Sequence, residues 1–126
     1  MELTSAHLRY LLTIYEASLE KPQVSSRTIA ERLGVTKPSV VRILNVLMEK
    51  KMLVKEHYGK IYLTDRGIFT AKKLKACMER IRENFPLPEL ELSDEEVYSC
   101  SLVLASSLPE RLFSGRYEEI TREDNV

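Results

Sequence analysis

Tryptophan is absent from this 126-residue sequence, cysteine occurs twice and glycine 4 times. So few glycines leave no Gly-rich loop of the kind that cradles phosphate. Cys77 and Cys100 do not have metal or redox spacing, and they read as free, buried thiols in a reducing cytoplasm. No apolar run approaches the ~18–20 residues that a membrane span needs. No basic segment followed by an apolar one opens the sequence, so a secretory route is not expected and a cytoplasmic location is. The 2 histidines, His7 and His57, are far apart, and no nucleophile–base pair or paired-carboxylate constellation emerges. An enzyme is therefore not expected.

Net charge is lacking too, since 19 Lys and Arg balance 19 Asp and Glu. The balance hides a separation. Residues 21–75 carry 13 Lys or Arg against 4 Asp or Glu, residues 76–126 carry 5 against 12, and residues 1–20 carry 1 against 3. Basic charge gathered in one segment suits phosphate binding, because each Lys or Arg contact releases condensed counterions. A merely solvated surface would explain the abundance of charge but not its segregation.

The basic segment is also the one with the clearest structural signals. Ser26 reads as an N-cap, followed by Ile29, Ala30 and Leu33 at helical spacing. Gly34 suits a left-handed C′ position. Thr36 caps a second helix, to about residue 51, that tolerates Pro38 in its first turn and has an apolar stripe of Val40, Val41, Leu44, Leu47 and Met48. Two helices joined by a short Gly-containing turn make a helix-turn-helix. Leu53 to His57 and Lys60 to Thr64 then flank Tyr58-Gly59 as a β-hairpin. A helix-turn-helix followed by a hairpin is a winged helix.

Around this centre, residues 4–19 read as a first helix capped by Thr4 or Ser5, with Leu8, Leu11, Leu12, Tyr15 and Leu19 on its apolar face. Val24-Ser25 reads as a very short strand or the approach to the second helix. Thr64 caps a long fourth helix that runs to about Asn84, and Phe85-Pro86-Leu87-Pro88 ends it. Ser93 to Glu96 is a capping box for a fifth helix to about Ser107, with Val97, Cys100 and Leu104 apolar. Leu108-Pro109-Glu110 restarts a short sixth. The expected fold class is mainly α: a winged helix-turn-helix over residues 1–84 with its long connecting helix, then a helical dimerisation region over residues 85–126. Helices this short need a partner for their apolar faces, and a homodimer is the economical one.

Base edges in the major groove are met by the start of the second helix of a helix-turn-helix. Here that start carries Thr36, Lys37, Pro38 and Ser39, with Arg42 one turn on. Arg42 is suited to a bidentate guanine contact, Lys37 to phosphate, and Thr36 and Pro38 to thymine methyls. Ser26 and Arg27 open the preceding helix, where free N–H groups favour phosphate. His57, Tyr58 and Lys60 surround the tip of the wing. Val40, Val41, Leu44 and Leu47 are assigned to the core, with Ile43 partly covered. The expected partners are double-stranded DNA and a second copy of the chain.

Thr13 to Glu16, Ile29 to Val40 and Tyr58 to Gly67 resemble the iron- and manganese-dependent repressors typified by the diphtheria toxin repressor and the manganese transport regulator. The resemblance runs over about residues 4–110 and implies a dimeric winged-helix repressor on a palindromic operator. Residues 85–120 would form a shortened dimerisation domain. The family's metal ligands fall on Arg9, Leu12, Met78, Leu102, Ala105 and Ser106, none suited to Mn²⁺ or Fe²⁺. No metal or other cofactor is therefore expected there. A relocated metal or thiol site near His7, Cys77 and Cys100 is the alternative, although His7 reads first as a surface helix residue. A regulator of the multiple-antibiotic-resistance type, and a winged helix serving as a protein-interaction module, are the other readings.

Overall fold

The computed structural model describes residues 3–85 and 88–109. Among these residues five helices and one hairpin follow in order: α1 (Ser5–Glu20), α2 (Ser26–Leu33), α3 (Lys37–Glu49), β1 (Leu53–Lys55), β2 (Ile61–Leu63), α4 (Asp65–Glu83) and α5 (Asp94–Ser106), with a short 3-10 turn at Pro88–Leu90. The fold is a mainly helical winged helix.

Each helix start is set by a side chain that satisfies an otherwise unpaired N–H. Thr4 caps α1: its Oγ1 accepts from His7 N, and His7 Nδ1 accepts from Thr4 N at 3.1 Å. Histidine thus takes the place that glutamate or glutamine holds in a capping box. His7 is buried and not on the surface, because a ring that folds back to its own cap lies against the helix. Ser25, not Ser26, caps α2, its Oγ accepting from Thr28 N. Thr36 caps α3, Thr64 caps α4, and Ser93 with Glu96 forms the expected box at α5.

The helix-turn-helix bend is Gly34, with φ +65°. Helix α3 ends two residues earlier than the sequence suggests, on a non-glycine in the left-handed region. Lys51 has φ +60°, Met52 N donates to Leu47 O, and Lys51 N donates to Met48 O. This crossed pair is a Schellman ending built on lysine. The hairpin pairs Leu53 with Leu63 and Lys55 with Ile61, antiparallel. Val24 adds a single isolated bridge to Ile61 and then leads into α2, between the two readings of that stretch as a very short strand or as the approach to the helix.

One apolar core joins the five helices and the hairpin. Leu8, Leu11, Leu12 and Ile14 of α1 meet Ile29, Val40, Leu44 and Leu47 of the helix-turn-helix, Leu53 and Ile61 of the hairpin, Leu74 and Met78 of α4, and Leu102 and Ala105 of α5. Three assignments made from periodicity are corrected. Val41 and Leu19 are exposed, and on α5 the covered face is Ser101, Leu102 and Ala105 while Cys100 and Leu104 face out. On α5 the neighbours are apolar on several sides (Val97, Leu102, Val103, Leu104), so the pattern had no single phase. Cys77 is half-buried and Cys100 exposed, both free, so the expectation of two buried thiols fails for Cys100. Helix α5 packs against α4 and α1. The anticipated sixth helix lies outside the described residues, apart from its first two positions.

Candidate nucleic-acid interface

The exposed face of α3 follows from its buried one. Val40, Ile43, Leu44 and Leu47 point into the core. That leaves Lys37, Pro38, Val41, Arg42, Asn45 and Glu49 exposed, with Thr36 just before them. Lys37, Val41 and Asn45 repeat every four residues, and Pro38, Arg42 and Asn45 fill the same stripe. The helix therefore offers a cation, a small apolar surface, a guanidinium and an amide along one side. Those are the side-chain types that read phosphate, thymine methyl, guanine and adenine in turn. Sequence reasoning missed Val41 and Asn45. Val41 is β-branched and apolar and so reads as core, whereas the four-residue step from Lys37 is the signal that places it outside.

Local bonds hold the start of this face. Thr36 Oγ1 accepts from Ser39 N and donates to Ser39 Oγ at 3.0 Å. Ser39 is half-buried and its hydroxyl is engaged with the cap, so it orients the first turn. On α2, Ser26 is half-buried, and Arg27 is exposed and pairs with Glu31 at 3.0 Å. An exposed pair of this kind contributes only ~0.3–0.5 kcal/mol, a small obstacle to a phosphate competing for Arg27. Arg32 pairs with Glu20, tying α2 to the end of α1.

The wing turns tightly at its tip. Glu56 N donates to Lys60 O, Gly59 N donates to Glu56 O, and Gly59 has φ +80°. His57 and Tyr58 meet edge to face with ring centroids 5.5 Å apart. Tyr58 is 87% exposed, so its ring stands at the surface of the tip. Lys60 is half-buried and Lys55 exposed, so the strand next to the tip adds a cation that sequence reasoning did not single out.

The positions onto which the resembling family's metal ligands fall have a different character. Leu12, Met78, Leu102 and Ala105 are buried together in the core. Arg9 is exposed, and Ser106 Oγ donates to Val103 O at 2.9 Å. This set provides no carboxylate or imidazole, and it does not fit a hard divalent cation. Among the described residues no three of His, Cys, Asp and Glu gather as a metal site, and none of the helices is long and apolar enough to cross a membrane.

Known proteins share this architecture. Residues 2–58 match the MarR family. The chain superposes on the manganese regulator SloR with TM-score 0.68 and 24% identity, over 97% of this chain and 55% of SloR. It superposes on the metal-dependent transcriptional regulator MtsR with TM-score 0.65 and 23% identity, over 92% of this chain and 53% of MtsR. A hypothetical protein from Sulfolobus solfataricus matches with TM-score 0.64 and 20% identity, over 95% of this chain and 91% of that protein. No curated protein matches in sequence. The chain thus spans about half the length of SloR and MtsR, and at these identities the likeness is one of fold. The resemblance to metal-dependent regulators read from the sequence is met in that fold.

Proposed function

We propose that this protein is a DNA-binding transcriptional regulator, a repressor that acts as a homodimer on a palindromic operator in the cytoplasm, without a metal at the position its relatives use. The observation that carries the reading is the face of α3: Lys37, Val41, Arg42 and Asn45 are all exposed on the one helix whose opposite side is locked into the core. Arg42 is assigned to a guanine edge, and Lys37 and Arg27 to phosphates. Thr36, Pro38 and Val41 contact methyl groups, and Ser26 and Ser39 support the phosphate contacts. His57, Tyr58 and Lys60 of the wing reach the adjoining backbone.

The homodimer rests on α5. Val103 and Leu104 are more than half exposed on the side of α5 turned away from α1 and α4, and Leu108 just after the helix is also exposed; adjacent exposed aliphatic side chains of this kind suit a protein contact. An isologous contact through this face would set two recognition helices in two-fold relation. Metal independence rests on the buried Leu12, Met78, Leu102 and Ala105, which give α1, α4 and α5 an apolar junction where ligation would otherwise be needed.

Selection of duplexes from a randomised pool tests the whole reading. A palindromic sequence is expected to emerge, equally in the presence of a chelator. Enrichment that requires Mn²⁺, Fe²⁺ or Zn²⁺ would overturn metal independence alone, and enrichment of nothing would overturn DNA recognition.

A further inference from the structure

Asn45 stands at the centre of the exposed face of α3. At about 100° per residue it lies nearly opposite Leu47, which is wholly buried, with Val41 about 40° to one side and Arg42 about 60° to the other. Pro38, Val41, Arg42 and Asn45 follow the spacing i, i+3, i+4, i+7, at which one helix presents four side chains to one groove. Nothing within the fold explains an amide here. Asparagine is a weak helix former, because its side chain competes for nearby backbone groups. Asn84, at the end of α4, does so: its Nδ2 donates to Arg80 O at 2.8 Å. Asn45 does not. Among the described residues neither its amide nor the Arg42 guanidinium has a hydrogen-bond or ion-pair partner.

The base that matches a free amide is adenine. An asparagine side chain accepts from adenine N6 and donates to N7 in one plane. Guanine offers two acceptors, O6 and N7, and would set O6 against the amide oxygen. Thymine and cytosine each offer one polar group in the major groove, which leaves half of the amide unpaired. The rise of about 1.5 Å per residue sets how far apart the contacts fall on a helix lying along the groove. Val41 and Asn45 are separated by about 6 Å, a little under two base-pair steps of ~3.4 Å. Arg42, with the longer side chain, comes between them. Glu49 is exposed one turn further on, where its carboxylate would repel phosphate, and it ends the reading face.

We propose that Asn45 is a specificity-determining residue that selects an A·T pair, about two steps from the T·A pair that Val41 meets, with the G·C pair of Arg42 between them. Each half of the operator then contains three neighbouring pairs read as thymine, guanine and adenine. Lys37 lies about 80° round the helix from Asn45, at the edge of the stripe, which suits phosphate and leaves the base edges to the other three. The proposal rests on the reading of α3 as the DNA-binding helix and adds which bases that helix selects.

Selection from a randomised duplex pool, run in parallel with the wild type, Asn45→Ala and Arg42→Ala, tests it. The wild-type motif is expected to have adenine in one column of each half and guanine in the next. Asn45→Ala is expected to flatten the adenine column alone, and Arg42→Ala the guanine column alone. Replacing that adenine pair in the selected duplex is expected to weaken wild-type binding by roughly fivefold to a hundredfold, and Asn45→Ala binding by less than about twofold. Alanine favours a helix more than asparagine does, so Asn45→Ala is expected to unfold at the wild-type temperature or higher. A lost column is then not lost structure. A wild-type motif that Asn45→Ala leaves unchanged, or weakens evenly in every column, would overturn the proposal and leave DNA recognition standing. So would guanine and adenine columns more than two steps apart. No motif from the wild type would overturn both.

Discussion

Gly67 lies so close to the Met52 carbonyl that a Cβ at Gly67 would stand 2.0 Å from the oxygen. The same carbonyl accepts from Thr64 N at 3.0 Å, and Thr64 Oγ1 donates to Lys51 O while accepting from Gly67 N. The first turn of α4 is thereby seated on the end of α3, across the wing that separates them in sequence. Gly67→Ala places a methyl into backbone, which cannot swing aside as a flexible side chain would. A loss of ~1–3 kcal/mol or more is expected, read by urea denaturation. A loss below a few tenths would mean that α4 is not held there.

Lys51 provides a prediction of opposite sign. It occupies the left-handed region at φ +60° as the pivot of the Schellman ending of α3. An L-residue there costs roughly 1–2 kcal/mol that glycine does not incur, partly offset by glycine's greater freedom when unfolded. Lys51→Gly is expected to raise stability by ~0.5–1 kcal/mol. Thermal unfolding measures this, and a fall in midpoint would contradict the ending described.

His7 links the first cap to pH. Its Nδ1 accepts from Thr4 N, which requires the neutral ring. Burial first, and Lys50 second, hold its pKa below the ordinary 6.5. The unfolded chain therefore takes up the proton more readily, and stability falls as pH drops through 6.5 toward the lower folded value. His7→Gln keeps the capping partner without the titration. Denaturation midpoints across this range are expected to slope less in the variant than in the wild type; identical slopes would contradict the role given to His7.

The winged helix was legible in the sequence because its signals are local. Gly34 fills the left-handed bend, Thr36 and Thr64 cap where a hydroxyl precedes a helix, and Gly59 turns the hairpin. Residues that depend on tertiary phase were less so. Val41 carries an apolar side chain on the face that the packing of Ile43 and Leu44 turns outward. On α5 the run Leu102, Val103, Leu104 and Ala105 is apolar all round, so only contact with α1 and α4 selects Leu102 and Ala105. The part of His7 in a capping box is invisible to rules written for glutamate.

The exposed run Val103 and Leu104 gives a test of assembly. Leu104→Asp puts a charge on the proposed dimer face without touching the core, where Leu104 takes no part. Sedimentation velocity is expected to show a dimer in the wild type and a monomer in the variant, and the unfolding midpoint to rise with protein concentration in the wild type only. A wild-type monomer would contradict the proposed assembly.

The recognition face is tested most directly by fluorescence anisotropy on the selected duplex over a salt series, comparing the wild type with Lys37→Ala and Arg42→Ala. Affinity is expected to fall with salt on a log–log plot, and Lys37→Ala to make the slope shallower by about 0.9, because one phosphate is no longer neutralised. Arg42→Ala is expected to cost ~1–3 kcal/mol on that duplex and little on an unrelated one. Binding by the wild type that ignores salt, or binding unchanged by both substitutions, would contradict the claim that α3 reads DNA.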